Sequence, residues 1–109
     1  MGLAASQARF LNLTARKTDL EFQGQSINQQ RMNVSQQAQT LLNYTSLLDT
    51  SSAQYQQNLV KIDSIHQIDR RLEIELNSVD TQQQAVQTEI EAVKKVIDKN
   101  IDLVFKTFA

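Results

Sequence analysis

The sequence predicts an all-α protein, a long antiparallel helical hairpin of the coiled-coil type with its turn near residues 49–53, and residues 1–109 forming a single elongated domain. Three observations predict it. Apolar residues return at every seventh position over most of the chain; proline is absent and glycine occurs only twice; and the clearest cluster of poor helix formers divides the chain nearly in half. Composition agrees, because 40% apolar and 6% aromatic residues, with no Trp, are little to fill a rounded interior. A compact domain of this length buries roughly 65% of its unfolded surface. A helix pair needs only one apolar stripe on each partner.

The first helix is expected from about residue 3 to 48, and its evidence is one unbroken column. Stepping by seven from Leu13 gives Leu20, Ile27, Val34, Leu41, Leu48, Tyr55 and Ile62. A strict seven-residue period holds one seam toward a partner and implies a left-handed supercoil. The companion column, three residues earlier, is mixed: Phe10, Lys17, Gly24, Arg31, Ala38, Thr45, Ser52 and Leu59. A helix with one strong and one weak column calls for a broad partner surface. Gly24, on the weak column, is open to two readings, a close helix approach or hinge, and a tolerated helix defect costing about 1 kcal/mol.

Asp49-Thr50-Ser51-Ser52 marks the turn, since these side chains compete for backbone hydrogen bonds and serve well as N-caps. The second helix follows from about 53 to 107. At 1.5 Å per residue the two would measure ~70 and ~80 Å, lengths that match well enough to fold back on one another. The second half supplies the stronger seam: Ile65, Leu72, Val79, Val86 and Val93 in one column, and Ile62, Leu76, Ile90, Ile97 and Val104 in the other, interrupted by Asp69 and Gln83. Asn77-Ser78-Val79-Asp80-Thr81 is a weaker break through which the column runs on, so it reads as helix. Asn100 either continues the seam as a register-setting polar residue or marks where the stripe rotates to Ile101, Phe105 and Phe108.

Little in the sequence points to catalysis. Absent cysteine removes thiolate chemistry, disulfides and Cys-based metal sites, and a net charge of −1 gives no field for nucleic acid or anionic lipid. His66 is the only histidine; Asp63 and Asp69 share its helix face, but a working site normally gathers groups from several elements, so an exposed histidine is expected, with no metal and no cofactor. No apolar run is long enough to span a membrane. Residues 93–108 form an amphipathic stretch whose Asp98 and Asp102 dilute its basic face, so packing near Leu3 and Phe10 is expected over a membrane surface. Met1-Gly2 with Ser6 fits a loose myristoylation pattern, and Asn12, Asn33 and Asn43 begin glycosylation tripeptides, all short patterns that arise by coincidence. The opening residues lack a secretory signal's apolar core, so the expected location is cytoplasmic, or exported without a cleaved signal.

The opening Met1-Gly2-Leu3-Ala4-Ala5-Ser6-Gln7-Ala8-Arg9-Phe10-Leu11 and the later Val93-Lys94-Lys95-Val96-Ile97-Asp98-Lys99-Asn100-Ile101 resemble the two ends of a family of short uncharacterised bacterial helical proteins. The resemblance covers the first and last thirds and implies a bacterial origin, without bringing an activity. In layout alone, the chain is similar to flagellar axial proteins and type III secretion subunits, whose end helices pair and assemble. The functional expectation is a non-catalytic structural or assembly protein, with an adaptor or secretion chaperone for a client helix as the alternative. Its interaction seam would be Leu13, Leu20, Ile27, Val34, Leu41, Leu48, Leu72, Val79, Val86 and Val93. The partners expected are helical proteins or further copies of the chain.

Overall fold

A computed structural model describes residues 2–108, with side chains through Thr107. Two helices, α1 (Leu3–Thr45) and α2 (Ala53–Phe108), make up the fold, with no strand among the described residues. The chain is thus an all-α helical hairpin. Both helices run without interruption where the sequence is weakest, at Gly24 and at residues 77–81. No described glycine has a positive φ, and Gly24 sits in α1 as an ordinary helical residue.

α1 stops short of the expected Leu48. The N–H groups of Leu47 and Leu48 bond to the carbonyls of Tyr44 and Thr45 at 3.1 and 3.0 Å, the three-residue spacing that tightens and closes a helix end. Ser46 reinforces the closure by donating its hydroxyl to the Asn43 carbonyl at 2.7 Å. In the turn, one carboxylate oxygen of Asp49 accepts both the N–H and the hydroxyl of Ser51, at 3.1 and 3.0 Å. Those bonds, the backbone one foremost, hold the Asp49 carboxyl below the usual aspartate range. Ser52 then caps α2: its hydroxyl oxygen accepts the Tyr55 N–H at 3.1 Å, satisfying one of the donors left open at a helix start.

Packing divides the chain into two units, Gly24–Ser78 and Met1–Gln23 with Val79–Ala109. In the unit that holds the turn, covered positions alternate steps of three and four: Ile27, Arg31, Val34, Ala38, Leu41 and Thr45 on α1, and Asn58, Ile62, Ile65, Asp69, Leu72 and Leu76 on α2. That is the signature of a two-column seam. Ile27, Ala38, Ile62 and Leu72 are its buried apolar members. In the other unit Leu13 and Leu20 of α1, with Val79, Val86, Ile90 and Val93 of α2, form the buried core. Each buried Leu or Ile contributes roughly 1.5–3 kcal/mol by leaving water.

Three polar residues are buried with these side chains: Ser6, Thr45 and Asn58. Asn58 accepts a bond from the Gln54 amide at 3.0 Å, while its own nitrogen and the hydroxyls of Ser6 and Thr45 find no partner among the described residues. Each such group costs about 1–3 kcal/mol when it stays dry.

Residues 93–108 depart from expectation at one end. Val93 is buried and Ile97 and Asn100 are half-buried, and the Lys94 ammonium lies 5.8 Å from the centre of the Phe10 ring. Beyond Asn100 the expected packing near Leu3 and Phe10 fails, for residues 101–107 are all exposed. The cover given by α1 runs out there. Asn100 is half-buried on the seam, while Ile101, Val104 and Phe105 are all exposed; the side chain of Phe108 lies outside the described residues.

Candidate interaction surface

The seam expected to meet other proteins lies inside the hairpin. Leu13, Leu20, Ile27, Leu72, Val79, Val86 and Val93 are buried, and Val34, Leu41 and Leu48 are half-buried. Helix packing within the chain covers the buried members, while Val34 and Leu41 also reach open grooves. The weak companion column shares that seam along α1, where Ala38 and Thr45 are buried and Phe10, Lys17, Gly24 and Arg31 half-buried; its later members are Ser52, half-buried in the turn, and Leu59, exposed on α2.

One charged pair bridges the helices within the turn unit. Arg31 donates through Nε to one oxygen of Asp69 at 2.9 Å and through Nη2 to the other at 3.4 Å, a two-point contact that fixes direction as well as distance. The Arg31 hydrogen bond, the largest influence, holds the Asp69 carboxyl below the usual range, and the Asp69 bond raises Arg31 in return. The sequence offered Arg31 as a member of a mixed column, and Asp69 as an interruption of its seam and a neighbour of His66, without pairing the two. Their opposite charge at seam positions of facing helices was the available signal. In the other unit, Arg9 reaches Glu89 at 3.3 Å, an exposed pair of small energetic weight.

The same pair lies beside the histidine singled out in the sequence. Asn28, Arg31, Ser35, Ile65, His66 and Asp69 are among the side chains that line an open groove of about 580 Å³. Within it Asp69 is engaged by Arg31, while Asp63 accepts a bond from Gln67 at 3.0 Å. His66 is exposed, and among the described residues no group of three His, Asp or Glu side chains is placed to hold a metal ion. No described helix is long and apolar enough to cross a membrane.

What remains open to a partner is a set of exposed apolar side chains. Near the turn these are Leu42, Tyr44, Leu47, Leu59 and Val60, beside a groove lined in part by Leu41, Tyr44 and Ile65. In the other unit they are Leu11, Phe22, Val96, Ile101, Leu103, Val104 and Phe105, the last 76% exposed. Comparison with protein-family models, with curated proteins and with solved structures returns no match.

Proposed function

We propose that this chain is a non-catalytic assembly protein, a helical hairpin that associates with copies of itself or with a larger bacterial structure by packing apolar helix surface. The observation that carries the reading is the exposed apolar run Ile101, Leu103, Val104 and Phe105 on α2. Contiguous exposed apolar surface on a soluble helix marks a contact with another protein or a membrane. The engagement of Asp69 by Arg31 supports a role without catalysis, because the carboxylate best placed to orient His66 is occupied by a cation. The resemblance of both chain ends to short bacterial helical proteins, and of the layout to flagellar axial and type III secretion subunits, supports the bacterial and assembly parts of the proposal.

A second reading, an adaptor or secretion chaperone, is favoured by the groove beside the turn. Leu41, Tyr44 and Ile65 line it in part, and Leu42 and Leu47 stand exposed on the same unit, a surface suited to the apolar stripe of a client helix. Sedimentation across a concentration series separates the two. Assembly gives a mass that rises with concentration; a strict monomer that binds one client at a fixed ratio supports the adaptor and contradicts self-assembly.

A further inference from the structure

The seam changes composition between the level of Ala38 and Ile62 and the turn. Ala38 on α1 and Ile62 on α2 are buried and apolar. Turnward of them the buried side chains among the described residues are both polar, Thr45 on α1 and Asn58 on α2, while the larger seam members Leu41, Leu48 and Tyr55 are only half-buried. Counting along antiparallel helices from the Arg31–Asp69 contact sets Asn58 between the levels of Leu41 and Thr45. Asn58 is 1% exposed and is the largest fully buried side chain described. Its Oδ1 accepts from the Gln54 amide at 3.0 Å, and neither its Nδ2 nor the Thr45 hydroxyl finds a partner among the described residues. Exchanging the oxygen and nitrogen of the amide still leaves one end of it unpaired, because Gln54 reaches only one.

We infer that the turn end of the hairpin, residues 39–61, is an opening point built into the fold, and that Asn58 sets how readily it opens. The covalent turn alone would make this end the last to part, since it holds the helices together while the free ends fray. The polar seam acts against that order. Parting the helices here uncovers no fully buried apolar side chain, so little hydrophobic stabilisation is lost. At the same time the Asn58 amide and the Thr45 hydroxyl regain water, which removes a cost present only in the closed state. Opening the other unit instead exposes Leu13, Leu20, Val79, Val86, Ile90 and Val93, all buried. At the turn end, opening adds Leu41, Leu48 and Tyr55 to a surface that already carries Leu42, Tyr44 and Leu47 exposed, so the apolar area offered there follows this local equilibrium.

Amide hydrogen exchange on the full chain, resolved by NMR, tests this, with circular dichroism to confirm helix content. An unpacked helix end is marginal in water, so parting of the helices registers as exchange. In the wild type, amides 41–45 and 58–62 are expected to exchange at least about tenfold faster than those of Leu13, Leu20, Val86 and Ile90. Asn58→Leu, close in volume and free of the amide, is expected to slow the turn-end set by about tenfold, and Thr45→Val to slow it several-fold. Val86→Ala, made in the other unit, is expected to speed exchange at Leu13, Leu20 and Ile90 while leaving the turn-end set unchanged, because a local opening does not pass through the loss of that core. Equal exchange of the two sets in the wild type, or a Val86→Ala variant that speeds both alike, overturns the opening point. An Asn58→Leu variant whose turn-end amides exchange as fast as before, or faster, overturns the role of Asn58.

Discussion

Leu20 is among the most deeply buried apolar residues, 3% exposed, and lies in the unit whose core also contains Val79, Val86 and Val93. Leu20→Ala is expected to destabilise the fold by about 2–4 kcal/mol, since it removes transfer energy and leaves a void that two helices only partly close. Urea unfolding followed by circular dichroism checks this; a loss under about 0.5 kcal/mol would show that the site is open to water. Ser52 acts by a different mechanism. Its hydroxyl holds the Tyr55 N–H, so Ser52→Ala is expected to cost about 1 kcal/mol while Ser52→Asp, which keeps an acceptor there, costs much less. Equal losses in the two variants would deny the cap.

At the scale of elements, register depends on polar residues set into an apolar seam. Arg31 with Asp69 is the clearest, and its pH dependence has a definite sign. The carboxyl's folded value is depressed, so the stabilisation is fully present above its unfolded value, about 4, and is lost as pH falls through the folded value. Asp49, depressed by its bonds to Ser51, acts in the same direction at the turn. Thermal melts are therefore expected to fall in temperature below about pH 4, and Asp69→Asn is expected to lower stability at pH 7 while flattening the acid decline. A wild-type melt with no decline between about pH 5 and 2 contradicts the assignment. The effect is modest, because solvent screens a half-exposed pair.

The elements were largely legible in advance because their causes are local and periodic. A chain without proline, with one apolar column running from Leu13 to Ile62 and a second set from Ile65 to Val93, has few alternatives to two paired helices. The turn was legible in Asp49, Ser51 and Ser52, whose side chains make the turn and cap bonds. The end of α1 was less so: Leu48 keeps the seven-residue period and stays half-buried although the helix has already closed at Thr45, so the period outlasts the backbone that produced it.

For the whole molecule, the heptad pattern and the matched halves pointed to a partner helix in the same chain, yet the seam residues were also expected to meet other proteins. The residues from Leu13 to Val93, read as an interaction seam, are found packed inside the hairpin, and a candidate surface lies instead at Ile101 to Phe105, where the pattern continues and the cover does not. Nothing in a period tells where cover stops. The central claim is that the seam is satisfied within one chain, and the absence of cysteine makes it directly testable. An Arg31→Cys, Asp69→Cys double variant, prepared in light and isotopically heavy forms, is mixed, unfolded, refolded together and treated with a short bis-maleimide. Mass spectrometry is expected to find residues 31 and 69 joined within chains of a single isotope class; cross-linked peptides of mixed mass in statistical proportion would show that the seam is closed between chains and contradict the account.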